Sequence, residues 1–252
     1  MWSFLFIVFI LFSSIIVVPI YGEEQKIPSW IRNIFMWYGQ NQISEDDLIN
    51  AIKYLIENKI IKIDSDVKQI WVPKPGTTWN WQLDTPVVIS YTVDMYDIDL
   101  FDNDAEIINN IHSKGAKAIC YISVGSWEDW RPDAKTFPSS VKGNDYDGWA
   151  GEKWLDIRAL DVIGPIIEKR LDMCKEKGFD GVEPDNIDVY TNDSGFPLTY
   201  EDQLKFNIWL ANKAHERGLS IGLKNNDEQV KDLIKYFDWA LTEDCFVDEF
   251  CS

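Results

Sequence analysis

The stretch MCKEKGFDGVEPD, residues 173–185, holds two kinds of structure joined at one glycine. Lys175 and Lys177 suit the negative end of a helix dipole, and Gly178 suits the left-handed residue that stops a helix. FDGVEPD then reads as a short buried strand running out in acids. The same joint recurs in IHSKGAKAICYISVG, residues 111–125, at Gly115, and in AHERGLSIGLKN, residues 214–225, at Gly218. Helix–glycine–strand units in series predict a parallel sheet covered by helices. Working outward, the candidate strands are 79–83, 87–93, 118–124, 154–157, 179–185, 220–224 and 239–243. No glycine-rich nucleotide turn follows the first strand. A (β/α)8-type TIM barrel is therefore expected over a doubly wound sheet.

Residues 4–21, FLFIVFILFSSIIVVPIY, form an uncharged apolar run. It reads as a signal peptide, cut after Gly22, or as an uncleaved membrane anchor. Both readings export the rest of the chain, so we expect a secreted or extracellular membrane-anchored protein, with a tether through residues 4–21 in the second case. Residues 23–70 read as a small helical module. Ser44 and Asp47 make a capping box, and Leu48, Ile52, Leu55 and Ile56 recur at helical spacing up to Asn58. Residues 71–252 are the barrel domain. Export also lets the four cysteines pair: Cys245 with Cys251 as a local clip, and Cys120 with Cys174 as a link from a strand to a distant helix.

The 252 residues carry a net charge of -18, which repels phosphate backbones and excludes nucleic acid as a partner. A neutral or cationic partner fits instead. Only two histidines are present, His112 and His215, each one turn before a helix-ending glycine. Both are expected to partner the helix dipole on the outer ring. With no HExxH, no phosphate loop, no GxSxG and no calcium-loop spacing, no metal and no cofactor are expected.

Catalytic groups on a barrel gather at strand C-termini. There the chain places Asp94 and Asp97, then Tyr121, Glu128 and Arg131, then Glu183, Asp185, Asn186 and Asp188, then Lys224 and Asn225, and last Glu243. Alternation puts Gly181, Glu183 and Asp185 on one face of their strand, Gly222 and Lys224 on one face of the next, and Leu241 and Glu243 on one face of the last. Asp185 and Glu243 can then oppose each other across the barrel mouth. That arrangement suits glycoside hydrolysis, in which one carboxyl protonates the leaving oxygen and another attacks or activates water.

The blocks WVPKPGTTWNWQL, DMYDIDLFD, ICYISVGSWEDWRPDA, WLDIR, KGFDGVEPDNIDVYTNDSGFPLTYEDQLKFNIWLANKAHERGLSIGLKNN and TEDCF together resemble glycoside hydrolase family 114. The resemblance runs from about Trp71 to Cys251. It implies a (β/α) barrel acting as an endo-α-1,4-polygalactosaminidase, with Asp185 and Glu243 as the catalytic pair and Glu183 as the rival to Asp185. A deacetylated galactosamine polymer is cationic, which agrees with the acidic charge. Trp79 and Trp81 are expected to stack on sugar rings, and Arg131 and Lys224 to bond hydroxyls or keep the acids ionised. The alternative from another class is a non-catalytic carbohydrate-binding or cell-envelope protein on the same barrel. Chains of this family usually continue past the second cysteine, so the barrel is expected to be incomplete at its C-terminal end. The helical module resembles units found in exported archaeal proteins, a resemblance that implies no chemistry.

Overall fold

The computed structural model describes residues 29–58, 60–61 and 70–247. The apolar run at 4–21 and the Cys245–Cys251 clip lie outside the described residues, the latter through Cys251. The chain divides between 65 and 66 into two units. In the first, α1 (Ser29–Gly39) and α2 (Glu45–Glu57) form a helical pair. Ser44 caps α2, accepting from the Asp47 N–H while the Asp47 carboxylate accepts from Ser44 in return. Ile31 and Leu55 are its buried apolar side chains.

The second unit is built on six parallel strands. They are β1 (Trp79–Gln82), β2 (Met95–Asp99), β3 (Lys117–Ser123), β7 (Gly181–Asp185), β8 (Ser220–Lys224) and β9 (Trp239–Leu241), adjacent in that order. Helices α3 (Ala105–Ser113), α4 (Leu160–Lys177), α5 (Tyr200–Glu216) and α6 (Val230–Leu233) connect them. The sheet curls as an incomplete (β/α)8 barrel with β1 and β9 as its edges. Outward side chains such as Tyr96, Ile98, Cys120, Ile122, Val182 and Ile221 are buried in the main apolar core. Cys120 of β3 is bonded to Cys174 of α4, fixing helix to sheet.

Two expected strands are corrected. Residues 87–93 are not a strand, because their backbone is satisfied by side chains: Gln82 bonds both the N–H and the carbonyl of Val88, the Tyr96 hydroxyl donates to the Tyr91 carbonyl, and Lys114 holds the Ile89 carbonyl. The strand is the acidic MYDID that follows. Residues 154–157 do not join the barrel either. β6 (Glu152–Leu155) lies antiparallel between β4 (Ser126–Glu128) and β5 (Lys142–Asp145), a three-stranded excursion inserted after β3. Helix α3 is capped by Asp104, whose side chain accepts from the Glu106 and Ile107 N–H groups.

The N-terminal end of the sheet is sewn by a repeated device. An aspartate just before a strand accepts a backbone N–H of the strand before it: Asp94 from Thr78, Asp180 from Ala118, and Asp238 from Ile221. His112 lies 2.7 Å from Asp180 and His215 lies 2.9 Å from Asp238. The histidines thus tie helix ends to strand starts, far from the strand C-termini. Asp94 is corrected accordingly: it belongs to this stabilising end.

The Cys120–Cys174 bond spans a separation of 54 residues, so opening it frees a long loop in the unfolded chain. Cys120→Ser with Cys174→Ser should lower stability by about 2–4 kcal/mol in denaturant titrations. Reducing agent should shift the wild type toward the double variant and leave the variant itself almost unmoved.

Candidate active site

Alternate residues of the strands point into the barrel, and two of its interior positions are glycines. A Cβ on Gly222 would fall 2.5 Å from the Trp239 ring, and one on Gly181 would fall 2.2 Å from the Ser220 hydroxyl. These glycines let Trp239 and Ser220 fill the lower interior. Above that level, apolar packing gives way to charge. Asp97, Glu183 and Lys224 are almost wholly buried there, and Asp185 is half-buried at the top.

Lys224 connects them. Its Nζ lies 3.0 Å from Glu183 Oε1, 3.0 Å from Asp185 Oδ1 and 3.4 Å from Glu243 Oε2. Burial alone would push the ammonium toward neutrality, but the Asp185 and Glu183 carboxylates outweigh it and hold its pKa above the ordinary value. The Trp81 ring covers the ammonium at 5.1 Å, and its indole N–H donates to Glu183 at 3.0 Å. The Tyr121 hydroxyl donates to the second oxygen of Asp185 at 2.7 Å. Burial and the neighbouring Asp185 keep that phenol protonated. Asp185 is therefore oriented from two sides, whereas Glu243 is half exposed and reaches Lys224 only at its edge.

The exits of the last three barrel strands turn through a left-handed residue of the type that tolerates it: Asn186 after β7, Asn225 and Asn226 after β8, Asp244 after β9. These turns also position their neighbours. Asn186 donates to Ser123 and Ser126 at 3.0 Å each, and its carbonyl occupies the space that any side chain on Gly125 would need. Asn225 Oδ1 accepts the Glu243 backbone N–H at 2.9 Å, which ties the Glu243 segment to β8.

Above the charged layer opens a cleft of about 620 Å³. Asp185, Glu243, Asn186, Asp188, Lys224 and Asn225 line its floor and one wall, and the β4–β6–β5 excursion brings Glu152, Tyr146 and Trp149 to the other. Burial raises Glu152 to about 7 and Asp188 to about 6, with the Asp185 charge adding to both. Arg131 is pinned between Asp99 at 2.7 Å and Glu128 at 2.8 Å, a buried triad in the cleft side. Burial raises the Glu128 pKa even against Arg131.

The sequence-selected residues thus separate into groups. Asp185, Glu243, Asn186, Asp188, Lys224, Asn225, Tyr121, Glu128 and Arg131 come together around this cleft. Asp97 and Glu183 sit beneath it without exposure, and Trp81 joins them as a cover for Lys224. Trp79 lies elsewhere: it lines a cavity of about 410 Å³ between the β1 and β9 edges, together with Trp239 and the 73–77 loop. Sequence reasoning passed over Trp130 and Trp149, which present 51% and 62% of their surface at the cleft, and Glu152 beside them. The signal for the tryptophans was their setting among Asp, Gly and Pro rather than in an apolar run.

Removing Lys224 would leave buried carboxylates facing one another. Lys224→Met should destabilise the fold by about 3–5 kcal/mol at neutral pH. The loss should shrink toward pH 4, as the orphaned acids take up protons; thermal melts of both proteins across that range check it.

The family model for glycoside-hydrolase family GH114 matches residues 62–252. Among solved structures, the chain is 44% identical to Ega3 of Aspergillus fumigatus, solved in complex with galactosamine, over 73% of each chain and with a TM-score of 0.71. It also superposes on the glycoside hydrolase domain of PelA from Pseudomonas aeruginosa, at 15% identity over 66% of each chain and a TM-score of 0.51, a likeness of fold alone. None of the curated proteins matches. The matched span contains the entire barrel unit, and the chain is a member of glycoside-hydrolase family GH114, a glycoside hydrolase.

Proposed function

We propose that the protein is an exported hydrolase that cuts internal α-1,4 linkages of a galactosamine-containing polysaccharide by a two-carboxylate mechanism. The observation that carries the reading is the pair formed by Asp185 and Glu243 at one ammonium on the floor of an acidic cleft. Asp185, held by Tyr121 and Lys224, is suited to attack the anomeric carbon. Glu243, half exposed on the far side, is suited to protonate the leaving oxygen and later activate water. The oxygens they direct at Lys224 cannot be farther apart than 3.0 Å and 3.4 Å laid end to end.

The substrate reading rests on charge and on aromatic surface. Glu152, Asp188, Asp185 and Glu243 face the same space, which suits a sugar bearing an ammonium group. Trp130 and Trp149 offer flat faces for sugar rings at the rim. The galactosamine bound to the similar Ega3 points to the same class of sugar. Export is supported by the Cys120–Cys174 disulfide, a bond that persists in oxidising compartments, together with the apolar run at 4–21.

Asp185→Asn and Glu243→Gln should each lower kcat on galactosamine polymer by at least about a hundredfold while leaving binding in place, since amides keep shape but neither attack nor transfer a proton. Release of new reducing ends measures it. Binding of the polymer without cleavage by the wild type would sink the hydrolase assignment to this substrate.

Affinity should also depend on pH. Glu152 and Asp188 titrate near 7 and 6, so each is neutral below that value and negative above it. Binding of cationic polymer to Glu243→Gln should strengthen as pH rises from about 5 to about 7, and adding Glu152→Gln should flatten the rise. A calorimetric titration at three pH values reads both.

A further inference from the structure

The barrel interior beneath the cleft holds three carboxyls, Asp97, Glu183 and Asp185, around the single ammonium of Lys224. Asp97 is 0% exposed, and neither of its oxygens has a hydrogen-bond donor. Its neighbours in register are Trp81 on β1 and Ile119 on β3, which carry no charge. The charged groups that face it are Glu183 and Asp185 of β7 and Lys224 of β8. An ionised carboxylate in that position would have no donor and would add a second uncompensated negative charge to the cluster. A protonated one gains a partner, because a neutral carboxyl carries one O–H to donate.

Building on the proposed hydrolase reading, we propose that Asp97 is a positioning residue that works as a neutral acid, its O–H donated to Glu183. Burial pushes the Glu183 carboxyl up, and donors from Trp81, Lys224 and Asp97 act against that burial to hold its charge. The Glu183 charge and the Lys224 charge offset each other, and the ammonium remains available to Asp185. Without the Asp97 proton, Glu183 and Asp185 would face a further anion beneath the cleft. Burial and the adjoining Glu183 charge both act to keep the proton on Asp97. The site therefore needs a carboxyl or an amide at position 97, and a small side chain cannot replace it.

Three measurements on the whole chain test this. Infrared difference spectra at neutral pH, wild type minus Asp97→Asn, should show a protonated-carboxyl carbonyl band over and above that of Glu152 and Asp188. Melting temperature carries the second. A group whose folded pKa is raised contributes stability that is complete below its unfolded value, about 3.9, and is lost as pH rises through the folded value. The wild type should thus lose stability toward alkaline pH along a slope that is shallower in Asp97→Asn, the remainder belonging to Glu152 and Asp188. In turnover of galactosamine polymer, Asp97→Ala should lower kcat by on the order of tenfold to a hundredfold with KM little changed, and Asp97→Asn should restore most of that loss. A band and a melting slope that are the same size in Asp97→Asn as in the wild type would overturn the proposal. Failure of the wild type to cleave the polymer would instead remove the substrate reading, while the infrared and melting results would still decide the state of Asp97.

Discussion

One buried ammonium organises the interior of this barrel. Lys224 is 2% exposed and keeps its charge only because Glu183 and Asp185 each approach to 3.0 Å. Taking an ion out of water costs several kcal/mol, and good geometry with further hydrogen bonds is what offsets it. The surrounding residues supply those bonds: the Trp81 indole reaches Glu183 and the Tyr121 hydroxyl reaches Asp185. Barrels of this type usually fill the same volume with layers of branched aliphatic side chains. Here, the upper layer is polar and the lower one is closed by Trp239 against Gly222. The charge cluster gives up packing energy and in return fixes the orientation of the carboxylate that faces the cleft.

The two ends of the sheet have different roles. At the strand starts, Asp94, Asp180 and Asp238 bind backbone N–H groups across neighbouring strands, and two histidines brace the helices against them. At the strand exits, asparagines in the left-handed region turn the chain sharply, so the next residues face the cleft. Aspartates serve both ends, in different ways: Asp180 at a strand start and Asp185 at the exit of the same strand. A carboxylate bonded to backbone amides is occupied, and one held by a side-chain ammonium at a cavity is available for chemistry.

The antiparallel excursion β4–β6–β5 gives the cleft its second wall. It carries Glu152, Tyr146 and Trp149 into place and anchors itself through Ser126, which donates to Glu152, and through Asn186 beneath both. Its ladder pairs lie among its own strands, with Asn144 N–H reaching the Ser194 carbonyl outside them, so it builds a wall without entering the barrel ladder. This separation of wall from frame suits a fold whose sites are set by loops on a constant scaffold.

Much of this was legible before folding. The left-handed glycines at 115, 178 and 218, the strands that follow them, and the shared inward face of Glu183 and Asp185 all come from local backbone geometry, which periodicity and residue type record directly. The acidic MYDID strand was not legible, because its Asp97 and Asp99 read as loop residues until Lys224 and Arg131 are seen to lie opposite them. The apolar 87–93 segment misled for the converse reason: its backbone is bonded by side chains from elsewhere in the chain. Sequence alone determined the helix–glycine–strand rhythm and which acids stand at strand ends. Only the tertiary structure decided which of those acids share an ammonium, which are sealed from water, and which tryptophans face the cleft. Those properties depend on distance and burial across residues far apart in the chain, which no local pattern encodes.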